Sequence, residues 1–161
     1  MLKGKKIVLR SLHHSDLSFL YNIENNQENW QFGSEERQYT RPELVSYIKN
    51  AETDILTAKQ YRFIIDLDGD PIGIIDLFNY TTNSVELGVI ITEDYRKRGF
   101  AREAVDLLVD YVFAILDINK VCASVAKDNL ASIKLFHSCN FQLHKANNDL
   151  QYFIKLAKNQ L

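Results

Sequence analysis

The chain passes from an apolar, strand-like stretch at residues 84–91 (SVELGVII) into a turn crowded with cations, Arg96, Lys97 and Arg98, then past Gly99 into an apolar helical stretch. This one passage constrains the fold more than any other. A strand feeding a long helix through a tight turn must bury one face of each element, which commits the chain to a sheet with helices packed on it. It also raises an electrostatic question. A helix N-terminus already carries the positive end of the macrodipole, so three cations there are unfavourable unless an anion sits in front of them. The unpaired amides of a first helical turn are donors for such an anion. Gly99 can take positive φ or admit close approach to the backbone, and Ala101 is small enough not to block it. The pattern is neither the dinucleotide fingerprint nor the P-loop. Taken alone, it also describes a solvated basic turn.

The remaining sequence alternates between the two periods. Residues 6–12 (KIVLRSL) alternate with β-branched residues and predict a first strand. Ser15 or Asp16 can cap a helix carrying Leu17, Leu20 and Tyr21 on one face. Residues 24–39 are polar and loop-like but contain Trp30, Phe32 and Tyr39, either core side chains or walls of a binding site. Thr40 and Glu43 form a capping box ahead of Leu44, Tyr47, Ile48 and Ala51 at helical spacing. Asp68-Gly69 between YRFIID and PIGIIDLF is a hairpin signal. Residues 102–116 predict a largely buried helix, 120–126 a buried strand, 129–140 a short helix, and the chain closes with a hairpin turning at 147–149. The order β α α β β β α β α β β predicts an α/β fold: a mixed sheet of about seven strands flanked by about four helices.

With 161 residues, no repeat, no low-complexity linker and only two prolines, the whole of 1–161 is expected to form a single domain. A formal net charge of −2 argues against a general nucleic-acid binder and confines any basic site to one locality. No apolar run approaches the roughly 18 residues of a membrane span, and the N-terminus reads as a strand rather than a leader. Cys122 and Cys139 form no disulfide framework, and no CxxC or HExxH spacing suggests a metal. The expectation is a cytoplasmic protein with reduced cysteines, no metal, no nucleic acid and no membrane partner.

Arg96-Lys97-Arg98-Gly99-Phe100-Ala101, following VELGVII, resembles the [QR]-x-x-G-x-[GA] signature of the GNAT superfamily of acyl-CoA-dependent N-acetyltransferases. A second signature of that superfamily, N-x-x-(S/A)-x-x-(L/F)-(Y/F)-x-x-x-G-F, resembles residues 129–141, NLASIKLFHSCNF. Residues 7–20, IVLRSLHHSDLSFL, are similar to the LRxLxxxDL opening of the ribosomal-protein and spermidine N-acetyltransferase branches. The resemblance spans essentially the whole chain. It implies the GNAT fold, its sheet splayed between the strand ending at Ile91 and the strand 120–126, with acetyl-CoA as co-substrate in the gap. By the same resemblance the backbone of Val89, Ile90 and Ile91 binds pantetheine, and the amides of Arg98, Gly99, Phe100 and Ala101 take the pyrophosphate. Arg96, Lys97 and Arg98 then serve the phosphates, and Asn129, with Ser132 nearby, meets the pantetheine arm.

Acyl transfer to an amine needs a free amine, and most amines are protonated at neutral pH, so a general base is useful. Glu86 is the candidate, since Val85 and Leu87 point to the other face of its strand; a solvent-facing strand-edge glutamate is the plainer alternative. The superfamily's usual acid, a tyrosine of the second signature, is matched here by Phe136, which has no proton to give. Asn140 replaces the usual glycine and tolerates the left-handed conformation that follows a helix. Glu24, Glu28, Glu35 and Glu36 are acidic residues around the aromatic loop, either a solvated face or an attraction for a cationic amine; Trp30, Glu35 and Glu36 are the candidate acceptor contacts. The implied reaction moves an acetyl group to a primary amine of a polyamine, protein N-terminus or amino metabolite by direct attack in a ternary complex. A non-catalytic acyl-CoA-binding domain is the alternative, and a homo-oligomer is compatible with either.

Overall fold

The computed structural model describes residues 1–26 and 38–158. Its centre is one eight-stranded sheet in the order β1-β2-β3-β4-β5-β6-β8-β7. The strands are β1 (Leu2–Lys3), β2 (Val8–Arg10), β3 (Tyr61–Leu67), β4 (Asp70–Phe78), β5 (Ser84–Ile91), β6 (Lys120–Ala126), β7 (Gln142–Ala146) and β8 (Leu150–Leu156). Among the described residues the α-helices are α1 (Leu17–Asn25), α2 (Arg41–Asn50), α3 (Ile55–Ala58), α4 (Phe100–Ala114) and α5 (Leu130–Ser138). Among the described residues the sheet thus has eight strands rather than about seven, because the segment expected to be one strand is preceded by the two-residue β1. A fifth helix, the single turn α3, is capped by the Asp54 side chain, which accepts from Leu56 N at 2.9 Å.

Local signals explain most boundaries. Thr40 Oγ1 accepts from Glu43 N at 3.3 Å while Glu43 Oε1 accepts from Thr40 N at 3.1 Å, the reciprocal cap that starts α2. Asp68 and Gly69 both take positive φ, 53° and 95°, as a two-residue hairpin turn demands. Asn140 adopts φ 65° where α5 ends. α4 begins two residues earlier than expected, at Phe100, with Gly99 as its N-cap.

The two faces of the sheet carry separate cores. One side packs Val85, Leu87, Ile91 and Val121 against α4, with Phe136 of α5 and Phe153 of β8. The other packs Ile64 and Ile74 against Leu20 and Ile23 of α1 and Leu44 and Ile48 of α2. The opening of α1 is held by charge. Arg10 donates from Nη1 and Nη2 to both oxygens of Asp16 at 2.9 and 3.0 Å, and from Nε to Asp66 at 2.7 Å. Burial pushes the Asp16 carboxyl upward, but hydrogen bonds from Arg10 and the His13 amide outweigh that and hold it below its ordinary value. The LRxLxxxDL pattern is therefore a structural staple joining β2, β3 and the start of α1. A comparable clamp links the N-terminal hairpin to α4: Glu103 Oε2 accepts from the amides of Lys6 and Ile7, each at 2.9 Å.

Candidate active site

β5 and β6 run parallel but pair over only three positions, Ser84 with Lys120, Val85 with Val121, and Glu86 with Cys122. Beyond that, each follows its other neighbour. β5 stays registered with β4 through Ile91 opposite Gly73, and β6 with β8 through Ala126 opposite Leu150. The inner edges therefore diverge, and among the described residues the backbone groups of Leu87–Ile91 that would face β6 have no strand partner. A cleft opens in this gap, lined by Leu87, Gly88 and Val89 from β5, Ser124, Val125 and Ala126 from β6, and Asn129, Ser132 and Phe136 from the α5 segment. An extended chain with amide groups could pair with the freed edge as a strand would.

At the open end of the cleft lies the cation-rich turn. Lys97 and Gly99 both have positive φ, 61° and 85°. Glu103 N donates to Gly99 O at 3.1 Å and is the first amide of the α4 ladder, so the amides of Gly99 to Arg102 have no partner within the helix. A Cβ added at Gly99 would meet nothing within 4 Å, so the space in front of this turn is open. The three cations are not equivalent. Arg96 folds back and donates from Nε to Ile91 O at 2.7 Å, capping the end of β5. Lys97 is exposed, and the Arg98 guanidinium lies 5.3 Å from the Tyr95 ring and 5.2 Å from that of Phe100.

Residues 6–142 match the family described as the acetyltransferase (GNAT) domain. The chain is a GNAT acetyltransferase. It is 31% identical over 142 residues to a spermidine N(1)-acetyltransferase of Vibrio cholerae, covering 86% of this chain and 80% of that protein. It is 27% identical to the acetyltransferase PseH of Campylobacter jejuni, over 94% of this chain and 92% of that one. In three dimensions it is similar to the crystal structure of spermidine N-acetyltransferase from Vibrio cholerae in complex with CoA and spermine. That match has a TM-score of 0.82 and 27% identity and covers 95% of this chain and 96% of the other. These relatives make the chain an N-acetyltransferase.

Against that family frame, the sequence-derived site residues fall into groups. Val89 and Ser132 line the cleft with Asn129, while Ile90 and Ile91 continue the same strand beyond it. Asn129 is committed on one side: its Oδ1 accepts from Ser132 N at 3.2 Å and caps α5, leaving Nδ2 as the group able to donate into the cleft. Glu86 sits at the apex, on the last β5–β6 pair, with Val85 and Leu87 buried on the opposite face. Phe136 is buried yet borders the cleft, its ring 5.1 Å from Phe141 and 6.2 Å from Phe153. Trp30, Glu35 and Glu36, the candidate acceptor contacts, lie outside the described residues, as do Phe32 and Glu28. Glu24 needs correcting: it belongs to the last turn of α1 rather than to a loop, and forms an ion pair with Arg62.

That ion pair belongs to a network that the sequence pattern did not reveal. Arg62 on β3 donates from Nε and Nη2 to the two oxygens of Asp76 on β4, at 2.7 and 2.8 Å, and from Nη1 to Glu24. Its guanidinium lies 5.4 Å from the Tyr47 ring. Burial works against the Arg62 charge, but Asp76 and Glu24 hold it well above its ordinary value, and burial pushes Tyr47 up to about 12. Register places Asp76 opposite Gly88, on the face that Glu86 shares. Cys122, beside Glu86, is also raised, chiefly by burial and further by that carboxylate. Among the described residues no group of three or more acidic, cysteine or histidine side chains is arranged to hold a metal, and no helix is long and apolar enough to cross a membrane.

Proposed function

We propose that this acetyltransferase moves an acetyl group from acetyl-CoA to a primary amine of a cationic, polyamine-like acceptor, by direct attack in a ternary complex. The observation that carries the reading is the parting of β5 and β6 after the Glu86–Cys122 pair, with the Gly99 turn at the open end. Pantetheine amides are suited to the free edge of β5 at Val89, Ile90 and Ile91. The pyrophosphate is suited to the amides of Arg98, Gly99, Phe100 and Ala101, with Lys97 and Arg98 supplying charge. Arg96 contributes by fixing the end of β5. Asn129 Nδ2 is the donor for the pantetheine arm, and Ser132 holds Asn129 in place.

In the transfer step the amine nitrogen forms a bond to the thioester carbonyl, the C–S bond breaks, and CoA leaves as thiolate. Glu86 takes the proton that the amine must lose, directly or through water, and the thiolate is protonated by water because Phe136 carries no acid. The acceptor preference is supported by charge on the face opposite α4. There Glu24 and Asp76 set two carboxylates against one guanidinium, and Glu86 adds a third on the adjacent strand. It is supported too by the relatives named for spermidine and the structural neighbour holding spermine. A homo-oligomer is supported by a neighbour described as a dodecameric spermidine N-acetyltransferase, TM-score 0.79 at 26% identity.

The test is release of thiol from acetyl-CoA against spermidine, a monoamine, a peptide with a free N-terminus and an amino metabolite. Spermidine is expected to give the highest kcat/KM. Glu86→Gln is expected to lower it by roughly 10²–10⁴-fold, less so as pH rises and the amine deprotonates unaided. Preference for a neutral or anionic acceptor would overturn the acceptor class. Binding of acetyl-CoA with no thiol release for any amine would overturn turnover on these acceptors.

A further inference from the structure

Asn79 follows β4 directly, in the loop that leads to β5. It holds φ 49°, a left-handed backbone that costs most residues free energy and that asparagine tolerates better than others. From this position its side chain reaches across the hairpin, and Nδ2 donates to Oε2 of Glu86. The loop is tied immediately after Asn79. Tyr80 N donates to Lys59 O at 3.1 Å, and Thr81 closes the turn through its amide to Ser84 O at 2.9 Å and its hydroxyl, which accepts from Ser84 N at 3.0 Å. Among the described residues no protein donor reaches the other oxygen of Glu86, Oε1.

We propose that Asn79 is a positioning residue for the transfer reaction. It grips one oxygen of the Glu86 carboxylate and turns the other toward the acceptor amine at the apex of the cleft. A glutamate on a strand has three rotatable side-chain bonds, and an ungripped carboxylate would sample several rotamers, most of them unproductive. A single donor on a fixed loop removes that freedom without using the oxygen that must take the proton. The inference rests on the reading of Glu86 as the proton acceptor.

A double-mutant cycle tests it in the full chain with acetyl-CoA and spermidine. Asn79→Gly tolerates the left-handed backbone and removes the side-chain donor, so Tm is expected to hold or rise. A hydrogen bond to a charged group corresponds to roughly 10- to 150-fold in rate when its loss is felt in the transition state. Asn79→Gly is therefore expected to lower kcat by about that factor, with the Kd for acetyl-CoA and the acceptor KM unchanged. Asn79→Asp, which replaces the donor with a second carboxylate, is expected to lose at least as much at neutral pH. In a Glu86→Gln background, Asn79→Gly should add less than about twofold, because the two residues act as a unit. Full kcat in Asn79→Gly beside a slow Glu86→Gln would overturn the positioning role alone, as would losses that multiply in the double variant. An active Glu86→Gln would overturn the assignment of the base, and the positioning role with it.

Discussion

Replacing Gly99 with alanine separates what this turn does for the fold from what it does for the ligand. Gly99 has φ 85°, and an added Cβ would meet no atom within 4 Å, so the substitution brings backbone strain without a clash. Holding an ordinary residue in a left-handed conformation costs about 1–2 kcal/mol. At about 2–4 °C per kcal/mol for a chain of this size, Tm should fall by about 2–8 °C. Ligand binding should suffer more. If the pyrophosphate meets these amides as proposed, the new methyl group stands in its way, and losing one hydrogen bond to a charged group corresponds to about 1.5–3 kcal/mol, or about 10- to 150-fold in Kd. Gly69→Ala is the matched control. Gly69 has φ 95° and equally open surroundings, but it lies at the tip of the β3–β4 hairpin, on the side of β5 away from the cleft. Titration calorimetry with acetyl-CoA should show weakened binding in Gly99→Ala and wild-type affinity in Gly69→Ala, while both lose similar Tm. Unchanged affinity in Gly99→Ala, or equal weakening in both, would refute the placement of the phosphates.

Two further substitutions test the departure at Phe136 and the staple at Arg10. Phe136 is buried but borders the cleft, so Phe136→Tyr should present its hydroxyl there, hold Tm within about 2 °C, and speed thiol release by up to roughly 10²-fold by supplying an acid. A drop in Tm matching about 1–3 kcal/mol with unchanged kcat would instead show a hydroxyl left without a partner in the core. Asp16→Asn leaves the Arg10 guanidinium short of a carboxylate in a site where the two side chains are 14% and 3% exposed, and should cost about 3–5 kcal/mol by chemical denaturation at neutral pH. Because the folded Asp16 carboxyl lies below its unfolded value near 3.9, its contribution is present above that pH and lost as pH falls through the folded value. The gap between wild type and variant should therefore narrow below about pH 4.

What could be read in advance was what neighbouring residues decide among themselves. Thr40 with Glu43, Asp68 with Gly69, and Gly99 before an apolar helix each carry a local physical reason, and each is found in the structure with the expected cap or positive φ. The turn at Gly99 and the cap of α5 at Asn129, where the candidate cofactor residues lie, are likewise contiguous stretches. The network on the face opposite α4 was not. Arg62 meets Glu24 across 38 positions and Asp76 across 14, and nothing in the local pattern marks those residues as partners. Local pattern therefore groups Glu24 with the loop carboxylates, solvated or facing an amine, whereas a guanidinium from β3 engages it.

The same distinction applies to Glu86, the candidate base, and to its neighbours. Alternation along β5 is enough to put Glu86 on the face opposite Val85 and Leu87, but alternation says nothing about where pairing with β6 ends. That point is set by competition. β5 is held to β4 by six registered pairs and β6 to β8 by seven, against three pairs between β5 and β6. The strands twist with their antiparallel partners, and the parallel contact between them gives way. It gives way immediately after Glu86, so the carboxylate stands where the sheet opens, with Asn79 on one side and Cys122 on the other. A shift of the β5 register by one residue would turn Glu86 toward α4 and Leu87 toward the face that α1 and α2 cover. The placement of Glu86 therefore depends on pairings made far along the chain.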